Sequence, residues 1–308
     1  MDRREFNKKS LATGVITSSA IAFGNYSHLF AYPHNLILDK PFDLVAIKGG
    51  EPDVMFDKGI QSLGSMKTFI KKGQTVVVKP NIGWDTTPER AANTNPQLVK
   101  RIIQHCFEAG AKDVYVFDHT CDNWKRSYSN SGIESAVKDA GGKIVSGESE
   151  SYYQQVIVKK GKKLTDAKVH ELILESDVFI NVPILKHHGG ADLTISMKNL
   201  MGIVWDRGYW HRNNLHQCIA DFAAYRKPDL NIVDAYLVMK RNGPRGVSKE
   251  DVVTLKSQII SSDIVAADAA AAKLFGTEPD DIDHIRIAHE MKIGNMNLDQ
   301  LNINRIKI

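Results

Sequence analysis

Apolar positions along this chain fall into two arrangements that take turns: short, nearly continuous runs, and longer stretches with a helical repeat. Phe42–Ile47, Thr75–Lys79, Asp113–Phe117 and Lys143–Val145 are of the first kind and read as strands. Val54–Ile70, closed by Gly73, is of the second kind and reads as a helix, as do Gln97–Ala109, closed by Gly110, and Gly132–Ala140. Asn95-Pro96 gives the middle one of these helices a capping side chain and a first-turn proline. Strands that are apolar throughout are buried on both faces. The order therefore predicts an α/β fold with a mostly parallel, doubly wound sheet.

From Tyr152 to His170 polar and apolar residues alternate around Lys160-Gly161-Lys162, the pattern of a β-hairpin inserted at about 152–170. The earlier rhythm resumes with a strand at Asp177–Leu185, a helix over Asn214–Tyr225 and a strand at Leu230–Val233. A last strand, Val253–Ile260, precedes the Ala-rich helix Ile264–Phe275, which Gly276 stops. No repeat and no Pro/Ser-rich linker interrupts this part. One α/β domain is expected over 42–308, behind a linker at 32–41 and a signal segment at 1–31.

That signal segment changes the expected destination. Asp2-Arg3-Arg4-Glu5-Phe6-Asn7-Lys8 has the order of a twin-arginine signal. The apolar run Leu11–Phe23 behind it is too short and too rich in Ser, Thr and Gly to anchor in a bilayer. The expectation is a protein exported in folded form across the cytoplasmic membrane to the periplasm. Its first partner is the twin-arginine export machinery, and it has no membrane contact once the signal is removed.

Composition narrows the partners further. The 308 residues are 43% hydrophobic and 25% charged, an ordinary soluble balance. Of the formal net charge of +4, residues 1–31 supply two, from Arg3, Arg4, Lys8 and Lys9 against Asp2 and Glu5. The remaining +2 is too small to imply a nucleic-acid partner. Cys106, Cys121 and Cys218 stand far apart with no CxxC, which argues against an iron–sulfur cluster in this chain, since that needs four closely spaced thiolates. Idle thiols explain Cys106 and Cys121 more simply than a disulfide between them.

In open parallel sheets ligands bind beyond the carboxyl ends of the strands. Four predicted strands end there in polar chemistry: Lys79-Pro80-Asn81, Asp118-His119-Thr120, Lys186-His187-His188-Gly189-Gly190, and Asp234. Lysines suit an anion, Gly189-Gly190 allows close backbone approach, and a histidine can move a proton near neutral pH. Gly189-Gly190 matches neither dinucleotide-binding nor Walker signatures.

Val78-Lys79-Pro80-Asn81, Thr94-Asn95-Pro96, Pro183-Ile184-Leu185-Lys186-His187, Thr194 with Lys198-Asn199-Leu200-Met201-Gly202, and Asp263–Asp268 together resemble the recurring motifs of domain-of-unknown-function family 362. They occur in family order over about residues 42–276. The resemblance implies motif roles for Lys79, Asn81, Lys186, His187, Lys198, Asn199 and Asp268. Asp268 sits inside an Ala-rich helix, where a bond to a neighbouring loop explains it as well as a ligand does. Many relatives carry ferredoxin-like cysteine clusters, which this chain lacks.

The expected function is an enzyme, or a cofactor-handling protein, acting on an anionic small molecule at the carboxyl edge of the sheet. The candidate catalytic residues are His187, Lys186, Asp118 and His119; Lys79, Asn81, Thr94, Thr194, Lys198 and Asn199 are the candidate binding residues. His187 is expected to face the ligand, with His188 left to packing or solvent. Two alternatives stand beside this. One is a metal site built from Asp118 with His119, His187 or His188; the other is a non-enzymatic maturation partner of an exported redox enzyme. The sequence specifies no cofactor and no metal.

Overall fold

The computed structural model describes residues 28–31 and 40–308, so the Arg3-Arg4 motif and the apolar run behind it lie outside the described residues. The first half alternates as expected. β1 (Leu44–Lys48) leads to α1 (Pro52–Ser62), β2 (Thr75–Pro80) to α2 (Pro96–Glu108), and β3 (Asp113–Val116) through α3 (Trp124–Asn130) and α4 (Ile133–Asp139) to β4 (Lys143–Ile144). Asn95 caps α2, its side chain accepting from the N–H groups of Gln97 (2.9 Å) and Leu98 (3.4 Å).

The hairpin is present as β5 (Tyr153–Ile157) and β6 (Asp166–His170), an antiparallel pair separate from the main sheet. Its turn is tied down by the buried Asp221, whose Oδ2 accepts from the N–H groups of Lys162 (2.9 Å), Lys163 (2.7 Å) and Leu164 (2.9 Å). There follow β7 (Val178–Val182), β8 (Ile184–His188), β9 (Asp192–Thr194), the short helices α5 (Ser196–Asn199) and α6 (Arg207–Arg212), and α7 (Leu215–Tyr225). The chain ends with β10 (Leu230–Met239), β11 (Val252–Ser261), α8 (Ile264–Phe275), α9 (Asp283–Glu290) and β12 (Ile303–Lys307).

Strand order is β12-β1-β11-β10-β7-β2-β3-β4. All these pairs are parallel except the two made by β11, which runs against both β1 and β10. β8 continues past β7 to pair with β10 and with the antiparallel β9.

Three expected boundaries are corrected. The helix expected to run to Ile70 stops at Ser62, because Gly64 (φ +86°) and Ser65 (φ +72°) enter the left-handed region. The strand expected over 177–185 is two strands divided at Pro183, which has no N–H for the ladder. The strand at 230 runs on to Met239.

Side chains of the sheet alternate between two apolar layers. Val77 enters the cluster that includes Phe222 of α7 and Ala269 of α8, whereas Val76 and Val78 enter the one with Phe56 of α1 and Val99 of α2. Each fully buried side chain of this size contributes about 1.5–3 kcal/mol. Lys79 shares Val77's face, so it emerges where that layer ends, at the carboxyl edge.

Candidate functional site

At that edge the chain ends of β2, β3, β8 and β9, with α5, surround a cavity of about 300 Å3. Lys79 comes from β2 and Asn81 from just beyond it, Asp118 and His119 from the segment after β3, Lys186 and His188 from β8, Thr194 from β9, and Lys198 and Asn199 from α5. Arg207 and His211 of α6, Cys121, Trp84, Pro244 and Gly202 also line it. A larger concavity of about 530 Å3 lies beneath the hairpin. Its carboxylates are already used: Glu150 pairs with Lys168, Asp166 accepts from Gln155, and Asp206 caps α6.

The wall is held by a line of buried amides. Asn231 Nδ2 donates to Ser261 O (3.3 Å), Asn181 Nδ2 to Asn231 Oδ1 (3.1 Å), and Asn199 Nδ2 to Asn181 Oδ1 (2.9 Å). Asn199 Oδ1 is then left to accept from Lys79 Nζ (2.8 Å) and Asn81 Nδ2 (3.0 Å), and Asn81 Oδ1 accepts from Lys186 Nζ (3.1 Å). Each amide's orientation is fixed by the previous one, so the two lysines are set by groups running back into the sheet.

The ionic centre is a buried pair, Lys79 Nζ to Asp118 Oδ1 at 2.9 Å. Asp118 Oδ2 accepts from the Ile82 N–H (2.7 Å). Gly202 closes over the pair: a Cβ there would stand 1.8 Å from Asp118 Oδ1 and 2.6 Å from Lys79 Nζ. Lys186 is 1% exposed and donates to Asn81 and to Ala92 O. Burial lowers its pKa to about 7, with the Lys198 and Lys79 charges adding and Cys121 and Asp118 opposing. Lys198 is half-buried and brought down to about 8, by desolvation first and then by Arg207 and Lys79. Arg207 is braced by His119 O (2.8 Å) and Thr120 O (2.7 Å). The lining thus carries four cationic side chains, Lys79, Lys186, Lys198 and Arg207, and a single carboxylate, Asp118.

The hydrogen bonds assign the tautomers of the two histidines on the wall. His119 Nδ1 lies 3.0 Å from Val204 O, so it carries the proton and leaves Nε2 with a lone pair. Its ring stacks on Trp205 at 4.9 Å and 4°, and burial, with Arg207, lowers its pKa and so favours the neutral ring. His188 Nδ1 accepts from the N–H groups of Gly190 (3.0 Å) and Ala191 (3.1 Å), so its proton is on Nε2. Desolvation, reinforced by Lys198 and Lys186, pushes His188 down to about 3.

Eight of the ten expected site residues line the cavity: Lys79, Asn81, Asp118, His119, Lys186, Thr194, Lys198 and Asn199. His187 does not, and the expected assignment of the two histidines is reversed. Along a strand, residues two apart share a face, so His188 accompanies Lys186 and His187 turns away. Its Nδ1 accepts from the Gly243 N–H (3.0 Å), fixing the loop that brings Pro244 to the wall. Thr94 is also outside; its hydroxyl accepts from Asn81 N–H (2.8 Å) and donates to Val182 O (2.7 Å), setting the β2 end. Asp234 accepts from Asn95 N–H (2.7 Å) rather than facing the cavity. Asp268 bonds its neighbouring loop, accepting from Ser196 (2.7 Å) and Met197 (3.0 Å) at the start of α5.

The expected metal set is not assembled. Asp118 is committed to Lys79, and no group of three or more His, Cys, Asp or Glu side chains among the described residues is placed to hold an ion. Cys106 and Cys218 are buried, Cys121 is exposed at the cavity, and all three are free thiols. Sequence reasoning missed Arg207, His211 and Cys121, which lie on segments with no clear periodicity.

Fold and site together define a doubly wound α/β protein with a cationic cavity at the carboxyl edge of its sheet. The chain belongs to the family described as Domain of unknown function (DUF362), which matches residues 76–273. It is 26% identical over 228 residues to a thylakoid-associated protein of Synechocystis sp., covering 71% of this chain and 68% of that one. Among solved structures it is similar to a protein from Thermotoga maritima (TM-score 0.48, 12% identity, 73% of this chain and 59% of that one). It is also similar to the lactate racemase apoprotein of Thermoanaerobacterium thermosaccharolyticum (TM-score 0.46, 12% identity, 76% and 57%). The chain thus spans less than two thirds of either of these two proteins.

Proposed function

We propose that the protein is an enzyme, or a handler of a small cofactor, acting on an anionic small molecule bound in the cavity at the carboxyl edge. The observation that carries this is the charge imbalance of the lining, four cations against one carboxylate in a largely desolvated wall. An uncompensated buried ammonium costs several kcal/mol, so a site that keeps one is suited to a ligand that neutralises it. Lys186, Lys198 and Arg207 would hold the anion, His188 would donate from Nε2, and His119 would accept a proton at its free Nε2. Protein freed of multivalent anions should gain thermal stability on addition of oxalate or phosphate, by about 2.7 kcal/mol at a hundredfold excess over Kd. Stability unmoved by either anion would overturn the proposal.

Delivery by the twin-arginine route is proposed alongside it, on the strength of Arg3-Arg4 and the weak apolar run behind them. Export of the Arg3→Lys/Arg4→Lys precursor at the normal level would contradict it.

A further inference from the structure

Four cationic side chains face the cavity, yet they are not equivalent. Lys79 Nζ is paired with Asp118 (2.9 Å) and Asn199 (2.8 Å). Lys186 Nζ donates to Asn81 Oδ1 (3.1 Å) and the Ala92 carbonyl, which leaves one N–H for an anion but holds the amine in place. Arg207 is anchored on the carbonyls of His119 and Thr120, and a guanidinium is no nucleophile at neutral pH. Among the described residues, only the Lys198 amine of these four has neither a hydrogen bond nor an ion pair. It comes from α5, whose start is clamped by Asp268 through Ser196 and Met197 and whose Asn199 is locked into the buried amide line. The backbone beneath it is therefore fixed while its amine is left for a ligand.

We infer that Lys198 forms an imine with its ligand, which is a small anionic carbonyl compound: an aldehyde or ketone that also bears a carboxylate or phosphate. This rests on the anion-binding reading above and names the substrate class within it. Lys186 and Arg207 take the anionic group, and the carbonyl carbon meets the Lys198 amine. The Nζ lone pair forms the C–N bond as the carbonyl π pair moves to oxygen. The amine's two protons leave with that oxygen as water, and C=N replaces C=O, with no oxidant or reductant required. His188, a neutral ring with its proton on Nε2, suits hydrogen bonding to the departing oxygen; His119, with its free Nε2, suits carrying the proton. The amine must be unprotonated to attack. Burial, with the Arg207 and Lys79 charges adding to it, brings Lys198 to about 8 and makes that form accessible close to neutrality.

The test uses the full chain with glyoxylate as the probe and cyanoborohydride to fix any imine as a stable secondary amine, followed by peptide mapping. Calorimetry with oxalate, which binds as an anion but has no aldehyde or ketone, runs in parallel. The expected result is labelling concentrated on the Lys198 peptide, greatest between about pH 7 and 8, where part of the Lys198 amine is unprotonated while the anion is still held, suppressed by oxalate and absent in Lys198→Arg. Oxalate binding without Lys198 labelling would overturn the imine and leave the anion site standing. Absence of oxalate binding would remove the anion site itself. Labelling spread over exposed lysines, or on Lys198 but indifferent to oxalate, would also overturn the inference.

Discussion

Lys79 and Asp118 meet at 2.9 Å with their side chains 1% and 3% exposed, so the centre of the site is an ion pair removed from water. Such a pair contributes little over an apolar substitute, but losing one partner strands the other's charge. Asp118→Asn and Lys79→Met should each lower the unfolding free energy by about 3–5 kcal/mol, and the double variant by less than the sum. Denaturant unfolding of the single and double variants measures this; additive effects would show that the pair is not coupled.

Gly202 is the counterpart of that pair in the backbone. A methyl group there would overlap Asp118 Oδ1 and Lys79 Nζ, which are held by each other and by the Ile82 N–H and Asn199. Gly202→Ala is expected to cost about 1–3 kcal/mol, in the range of core overpacking, and to weaken anion binding with it. Wild-type affinity in this variant would mean that the ion pair does not shape the site.

The two adjacent histidines should separate by phenotype. His188→Ala removes a donor from the cavity wall and should weaken oxalate binding about tenfold, the worth of one hydrogen bond to a charged group, besides costing stability through the Gly190 and Ala191 N–H groups it leaves without an acceptor. His187→Ala removes the acceptor for Gly243 N–H and should cost about 1 kcal/mol of stability, with a smaller effect on affinity. A larger loss of affinity at His187 would return the role to that residue.

The lysines give the site a pH signature with two opposite signs. As pH rises through about 7 and then about 8, Lys186 and Lys198 lose their protons and oxalate affinity should fall, by about tenfold or more for each charge. Over the same interval the unfolded chain still holds those protons, because an unperturbed lysine titrates near pH 10.4, so stability without ligand should rise. Calorimetry and thermal unfolding across this range check both. Affinity that is flat with pH would remove the two lysines from the binding account.

Much of this site was legible because its chemistry follows apolar strands. A run such as Thr75–Val78 names its own end, and β2, β3 and β8 deliver Lys79, Asp118 and Lys186 to one edge. The choice between His187 and His188 was legible too, since the period of two ties His188 to Lys186; the motif-like Leu-Lys-His order hid it. Strand direction was not legible: nothing in Val253–Ile260 distinguishes a strand running with its neighbours from one running against them. Asn181 and Asn231 did carry a signal, as single amides inside otherwise apolar strands, where a polar group must find a partner. Arg207 and His211 offered none, because α6 is six residues long and reaches the cavity only through tertiary packing.

The most direct measurement is a calorimetric titration of the folded chain with oxalate, at low ionic strength and below about pH 7, where Lys186 and Lys198 both carry charge. Binding at one site per chain is expected, with loss of that binding in Lys186→Gln/Lys198→Gln while unfolding stays cooperative. Oxalate binding that survives the double substitution, or its absence from the wild-type protein, would contradict the claim that this cavity is built for an anion.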